Sequence, residues 1–114
     1  MIRLSRGQMP VRKDAVEVGF NVDNIHWASD GALLAAGHTA PTRTRVGECM
    51  RQVTCEGITS KVVRVDPQEL TLREIFAYPT NDYLILGTAA IQVGNEIWVG
   101  GIAGGDRIAR FPVR

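Results

Sequence analysis

The sequence predicts an all-β fold in which antiparallel sheets are stacked face to face. Gly, Asn, Asp and Pro residues interrupt the chain at short intervals, and Val, Ile, Thr and aromatic residues are concentrated between them, as is typical of strands. Helical periodicity is weak along the whole chain. Several apolar segments also lack the alternation expected of a strand with one face in water, which indicates that both of their faces are covered.

Individual strands and turns follow from the same pattern. Strands are predicted at residues 2–5, 14–19, 24–28, 33–37, 60–66, 71–77, 88–93, 97–101 and 106–111. Within 14–19, Val16 and Val18 alternate with Glu17, which is typical of a half-exposed outer strand. Turns are predicted at 29–31, 66–69 and 94–96, where Gly and Asn tolerate positive φ and Pro67 fixes its own φ.

Sheets covered on both faces are typical of a β-propeller. The segments 33–36, 88–91 and 97–100 are small or apolar on both faces. A β-sandwich leaves one face of each sheet in water, whereas a propeller stacks its sheets around an axis and covers both faces of the inner strands. The pattern therefore predicts a partial β-propeller of about two to three four-stranded antiparallel blades.

A weak internal repeat divides the chain into blades. The hairpin at 23–37 parallels the hairpin at 88–101, and this alignment would make Trp27 and Trp98 equivalent. We predict one partial propeller domain over 1–114. In it, residues 1–20 form the outer two strands of one blade, 21–78 form a complete blade, and 79–114 form a last blade without its outer strand.

Composition argues against nucleic acid and membranes as partners. The 13 Lys and Arg residues nearly balance the 12 Asp and Glu residues, so no strong field would hold a nucleic-acid backbone or an anionic membrane. No apolar stretch approaches the ~20 residues that span a bilayer. The first residues contain no signal peptide and enter a strand-like pattern at once, as expected of a chain that begins within a domain.

A long loop is predicted at 38–59, and it contains both cysteines. The spacing of Cys49 and Cys55 fits neither a C-x-x-C redox motif nor a zinc knuckle. A local disulfide is one interpretation, and a pair of free thiols in a cytoplasmic protein is the other. The sequence leaves the compartment open.

Five short motifs resemble the C-terminal region of six-bladed propellers related to paraoxonase and arylesterase, to the gluconolactonases and to strictosidine synthase. They are Val-Asp-Asn-Ile at 22–25, Ala-Gly-His at 36–38, Val-Arg-Val-Asp-Pro at 63–67, Gly-Thr-Ala-Ala at 87–90 and Gly-Asp-Arg-Ile-Ala-Arg at 105–110. A complete member is roughly two to three times as long, so the resemblance implies the C-terminal part of such a propeller. Its parent would be periplasmic or secreted.

Strand direction and the resemblance together predict a site. If the strand beginning at Asn24 runs away from the mouth of a central channel, then Asp23, Asn24, His38 and Thr88 meet at that mouth. The resemblance implies that Asp23 and Asn24 are two ligands of a catalytic calcium ion. Calcium takes six to eight oxygens, so the ligand set is incomplete in this chain. The alternative is that the pair only shapes a turn that enters a strand.

The resemblance also implies a substrate pocket and an activity. It places His38 in the pocket, with Thr88 as a lining residue, and it leaves the catalytic residues unknown; a solvated loop histidine is the alternative for His38. The implied activity is calcium-dependent hydrolysis of a small ester or lactone, with this part inactive alone. The alternatives are a non-catalytic propeller that acts as a binding module, and a ring of several copies joined through open blade faces.

Overall fold

The chain is built almost entirely of β-strands, as the sequence predicts. The computed structural model describes residues 2–4, 10–52, 55–79, 84–103 and 107–113, and for 2–4 and 10–13 it describes the backbone. The elements in this part of the chain are β1 (Ile2–Leu4), β2 (Pro10–Lys13), β3 (Asn21–Trp27), β4 (Leu33–Thr39), α1 (Arg43–Cys49), β5 (Thr59–Val65), β6 (Leu72–Tyr78), β7 (Ile85–Val93), β8 (Glu96–Ala103) and β9 (Ile108–Pro112).

The strands form three antiparallel sheets in which sequence neighbours are also neighbours in space. β1 pairs with β2, the order β3-β4-β5-β6 makes a four-stranded sheet, and β7-β8-β9 make a three-stranded sheet. Within each sheet, every strand therefore reverses the direction of the one before it. The four-stranded sheet spans residues 21–78, which is the segment that the sequence predicts to be a complete blade.

All three predicted turns are confirmed, and each has a local cause. In the β3–β4 turn the carboxylate of Asp30 accepts a hydrogen bond from Ala32 N at 3.2 Å, and Gly31 has φ of 89°. In the β5–β6 turn the Asp66 carboxylate accepts two backbone hydrogen bonds. Gly94 begins the β7–β8 turn with φ of 58°, a conformation that costs a glycine little.

The four-stranded and three-stranded sheets lie face to face. β7 packs against β3, β4 and β5, and the apolar side chains between the two sheets are buried. They include Leu34, Ala36 and Val62 from one sheet, Ala90, Ile97 and Val99 from the other, and Leu84 just before β7. At the outer strands, the rings of Phe76 and Phe111 continue this contact, with 4.5 Å between their centroids. Burial of these apolar side chains is the main interaction that holds the two sheets together.

The other face of the four-stranded sheet is covered by the segment that precedes β3. Ala35, Val63 and Val65 pack there against Val16, Val18 and Phe20. The strand predicted at 14–19 is wrong, because residues 14–18 join no sheet in the described part of the chain and the regular strand is β2. The side chains nevertheless alternate between half-buried and exposed, so the sequence pattern reports burial and not strand pairing.

Coverage of both faces is confirmed for β4 and is wrong for the three-stranded sheet. Residues 34–38 are buried, whereas on β7 the side chain of Ile91 is 46% exposed and on β9 that of Ile108 is 70% exposed. Both side chains lie on the face of the sheet that is turned away from the four-stranded sheet. Burial of a sheet's second face depends on a further layer, which the strand's own sequence does not supply.

The internal repeat is visible as the same irregularity in both sheets. Asp23 is an extra residue in β3, and Thr88 is an extra residue in β7, so each strand has a β-bulge near its start. Gly37 and Gly101 lie on the partner strands, across from these bulges. A Cβ atom at either position would overlap a backbone carbonyl oxygen of the neighbouring strand. This register makes Leu34 the equivalent of Trp98, so the predicted equivalence of Trp27 and Trp98 is wrong.

The predicted loop at 38–59 contains a short helix. Thr42 caps α1, because its hydroxyl accepts a 3.1 Å hydrogen bond from Arg45 N. The helix has seven residues, which is too short for an apolar period to be recognised in the sequence. Cys49 and Cys55 form a disulfide directly after it, which is the first of the two interpretations of the cysteine pair.

Candidate functional site

The predicted site residues lie at one end of the two stacked sheets. β3 and β7 both begin at this end, and β4 finishes there, because consecutive strands run in opposite directions. The two β-bulges, at Asp23 and Thr88, are at this end, which we call the bulge end. Strand direction therefore brings together four residues that are far apart in the sequence: Asp23, Asn24, His38 and Thr88.

Asn24 joins the two sheets directly. Its side-chain amide donates a 2.9 Å hydrogen bond to the backbone carbonyl of Thr88 and a 3.0 Å hydrogen bond to Oδ1 of Asp23. A primary amide has two hydrogens, and these two contacts use both. The Oδ1 atom of Asn24 and the second carboxylate oxygen of Asp23 are the acceptors left at this position, on a strand that is exposed along its length.

His38 is buried and contacts the strand β7. Its Nδ1 lies 3.3 Å from the backbone carbonyl oxygen of Gly87, and the residue is 8% exposed. Because a carbonyl oxygen only accepts, this contact assigns the hydrogen to Nδ1, and Nε2 of the neutral ring is then an acceptor. The alternative of a solvated loop histidine is wrong.

Ser60 contacts the N–H of the same residue, Gly87, and sequence reasoning did not single Ser60 out. Its fully buried hydroxyl accepts a 2.9 Å hydrogen bond from Gly87 N. Ser60 and His38 are directly paired across strands β4 and β5. This cross-strand pair therefore binds both the backbone N–H and the backbone carbonyl of Gly87. The local sequence holds no signal for this role, because Ser60 lies between Thr59 and Lys61 at the polar start of β5.

Thr88 contributes mainly its backbone to the bulge end. Its carbonyl accepts the hydrogen bond from Asn24, while its hydroxyl donates a 3.4 Å hydrogen bond to the carbonyl of Gly100 in β8. The side chain is buried. Its hydroxyl is thus directed into its own sheet, and the lining role predicted for Thr88 is supported by position alone.

Asp23 and Asn24 supply two oxygen ligands of a kind that calcium binds, and two are fewer than a calcium site needs. Calcium takes six to eight oxygen ligands, chiefly carboxylate and carbonyl oxygens. Within the described ranges no group of three or more His, Cys, Asp or Glu residues is placed to hold a metal ion. The donor chemistry fits calcium, and the number of donors from this chain falls short.

The disulfide lies beside the bulge end and stabilises its surroundings. Cys49 and Cys55 are buried in a cluster with Ile58, Ile85 and Leu86, and α1 contacts β7. The start of β7 is therefore fixed from two directions, by this apolar cluster and by the hydrogen bonds to Gly87. The predicted loop is an ordered element over its described residues.

A cleft of about 520 Å³ lies at the opposite end of the sheets. Arg64 in its wall forms an ion pair with Asp30 and donates a 3.3 Å hydrogen bond to Gln92 of β7. Its charge is therefore already paired, and the residue serves to connect the two sheets. The cleft is far from the polar cluster of the bulge end, so we base no function on it.

Comparison with protein-family models, with curated proteins and with solved structures found no match to this chain. No helix in the described residues is long and apolar enough to cross a membrane.

Proposed function

We propose that the chain forms the last two to three blades of a six-bladed β-propeller and supplies part of a calcium-dependent lactonase or arylesterase site. The observation that carries the proposal is the hydrogen bond from Asn24 to the carbonyl of Thr88. It ties together the first strands of two consecutive sheets at the end where His38 also lies. In a propeller the first strand of each blade lies next to the axis, where a shared site forms.

The arrangement of the sheets supports a propeller over a sandwich. The four-stranded sheet is packed on one face against β7 and on the other against Val16, Val18 and Phe20. A two-layer sandwich covers one face of each sheet, whereas here a segment of the chain also covers the second face of the four-stranded sheet. The shared bulge in β3 and β7 further supports a repeated unit, because bulges are structural features that re-aim side chains near sites.

Asp23 and Asn24 are the residues that would hold the metal ion. A bound calcium ion supplies a Lewis acid for an ester or lactone carbonyl and for the oxyanion formed when water attacks. Asn24 is oriented for this role by its two donor contacts, which leave its carbonyl oxygen as an acceptor. The remaining ligands would come from other blades, so this chain alone should bind calcium weakly and hydrolyse nothing.

His38 is the group at the bulge end that could move a proton. The contact between Nδ1 and Gly87 fixes the ring and leaves Nε2 as the basic nitrogen. A histidine held in this way is suited to accept a proton from an attacking water, a contribution of typically 10²–10⁴-fold in rate. Ser60 is a positioning residue in this scheme, because it holds Gly87 N.

The test is to join the chain to the upstream blades of its parent and to assay lactones and aryl esters with and without calcium. Hydrolysis should depend on calcium, and Asp23→Ala should raise the calcium concentration needed for half-maximal activity at least about tenfold, as expected for loss of a carboxylate ligand. His38→Gln should lower kcat while calcium binding persists. Asp30→Ala, at the opposite end of the sheets, is the matched control. A joined protein that binds no calcium and cleaves no ester would refute the proposal.

A non-catalytic binding module is the second candidate, and one observation favours it. Asn24 and His38 each donate a side-chain hydrogen bond to a backbone carbonyl of β7, as side chains that only hold sheets together would do. In that case the joined protein would bind a small molecule at the bulge end, and His38→Gln would change its stability without changing any rate.

A further inference from the structure

The outer face of the three-stranded sheet is largely apolar and is open over the residues that the structure describes. Ile97 and Val99 point into the core, so their neighbours on β8 lie on the opposite face. The apolar residues on that face make up a surface that we call the open face: Ile91, Val93, Trp98, Ile102 and Ile108. Glu96 and Arg110 lie on the same face and form an ion pair. Four of the five apolar residues are well exposed, between 46% and 70%. Contiguous exposed apolar residues of this kind mark interaction surfaces.

Trp98 at the centre of the open face has an unsatisfied donor. Its indole Nε1 is buried and has no hydrogen-bond partner in the described part of the chain. The guanidinium of Arg110 lies 6.0 Å from the ring centroid, so the ring face is occupied and the N–H is not. A buried unpaired donor costs about 1–3 kcal/mol.

The internal repeat indicates what kind of surface belongs on the open face. In the bulge register Trp98 is the equivalent of Leu34, and Gly100 is the equivalent of Ala36. Leu34 and Ala36 are buried on the face of the four-stranded sheet that packs against the three-stranded sheet. The open face is thus the repeat of a face that already binds a following sheet within the chain.

The complementary surface lies on the other outer side of the two stacked sheets. Ile25 and Trp27 on β3 pair with Ala35 and Leu33, which lie on the face turned away from β7. They are 58% and 69% exposed. The repeat equivalent of Ile25 is Ala90, which is buried against the preceding sheet. The surface formed by Ile25 and Trp27 is therefore the repeat equivalent of a surface that binds a preceding sheet.

We propose that copies of this chain associate head to tail, with the open face of one copy packed on the Ile25 and Trp27 surface of the next. The accessible surface of the chain is 7600 Å², against about 6,200 Å² for a compact monomer of this mass, so the chain exposes more area than a compact monomer does. Two standard interfaces would bury about 1,600 Å² of one chain. A heterologous contact closes into a ring or continues as a filament. The proposal does not depend on calcium or on hydrolysis, and it concerns the chain alone, because upstream blades joined to the chain would occupy the same two surfaces.

Light scattering and sedimentation of the full chain test this proposal. Wild-type protein should exceed the monomer mass of 12.5 kDa in a concentration-dependent way. Ile108→Asp alters only the open face and Trp27→Asp only the complementary surface, so each variant alone should be monomeric, with association weakened at least about 30-fold. Mixed in equal amounts they should form a dimer and nothing larger, because one intact pair of surfaces remains. Met50→Asp, at a site 51% exposed beside α1, is the control and should assemble as wild type does.

Three outcomes would overturn the proposal. A wild-type chain that stays monomeric at every concentration has no such interface. Assemblies that survive both substitutions use another surface. Disruption by Ile108→Asp with no effect of Trp27→Asp would show that two open faces pack on each other, which is an isologous contact and not a head-to-tail one.

Discussion

The side-chain amide of Asn24 reaches the backbone carbonyl of Thr88, 64 positions further along the chain, at a distance of 2.9 Å. The contact joins the first strands of the two main sheets at their β-bulges. Because one hydrogen of the amide is used here and the other by Asp23, the orientation of a proposed metal ligand is set by the packing of the sheets. Stability and the proposed site are therefore coupled through this side chain, and they can be separated by mutation.

Asn24→Ala should lower the free energy of unfolding by about 1 kcal/mol, because it removes a hydrogen bond between the sheets. Asp23→Ala is the matched control. It removes only the exposed contact between adjacent side chains, so its effect should stay within about 0.5 kcal/mol. Urea unfolding followed by tryptophan fluorescence measures both changes. If the two variants lost the same stability, the bond to Thr88 would not contribute to sheet packing.

Gly37→Ala and Gly101→Ala should each be severely destabilising, by about 2–4 kcal/mol, because the new methyl group would overlap a backbone carbonyl oxygen of the adjacent strand. Gly47→Ala in α1 is the control, since nothing lies within 4 Å of its added methyl group. That substitution should stabilise the protein by about 0.5–1 kcal/mol, because alanine loses less conformational freedom in a helix. Thermal unfolding measures all three, and a tolerant Gly101 would refute the proposed equivalence of the two bulges.

Local chemistry explains which parts of the fold could be predicted from the sequence. The turns at Gly31 and Gly94 depend on φ preferences of single residues, and the strand directions follow from counting those turns. Strand pairing at 14–19 could not be predicted, because alternation reports burial and does not reveal whether a partner strand is present. The outer face of β7 could not be predicted either, since its exposure depends on the absence of a covering layer in the described chain.

The candidate site could be predicted from the sequence to about the same extent as the fold. Strand direction was enough to bring Asn24 and His38 to the end of the sheets where Thr88 lies. The particular contacts were not predictable, because a bulge inserts one residue and changes which side chains face the neighbouring sheet. Ser60 shows the same limit, since its partner Gly87 is specified by the packing of two sheets and by no feature of the local sequence.

Reduction of the disulfide should lower the free energy of unfolding by about 2 kcal/mol, as estimated for a loop of this length. Cys49 and Cys55 enclose a short segment beside the start of β7, so the loss should appear first as faster hydrogen exchange at Ile85 and Leu86. The double variant Cys49→Ser, Cys55→Ser should be less stable and should not respond to reductant. A reductant effect on that variant would show that some other change was being measured.

Asp66 provides a test of stability against pH at the opposite end of the sheets. Its Oδ1 accepts hydrogen bonds from Glu69 N at 3.0 Å and Gln68 N at 2.8 Å, and these bonds to the charged form lower the pKa of the carboxyl below its ordinary value of 3.8. A carboxyl whose pKa is lower in the folded state contributes stability above pH 3.8, and that contribution is lost as the pH falls through the folded value. NMR titration of the Asp66 carboxyl carbon should therefore give a midpoint below 3.8.

The variants Asp66→Asn and Glu69→Gln distinguish the cause of that pKa shift. Asp66→Asn should remove the part of the acid loss of stability that belongs to this turn, so its unfolding free energy should fall less steeply with pH than that of the wild type. Glu69→Gln changes a neighbouring charge and keeps the backbone donor, so the Asp66 midpoint should stay low. A midpoint that returned to 3.8 in Glu69→Gln would mean that the side chain at 69, and not the backbone hydrogen bonds, lowers the pKa of Asp66.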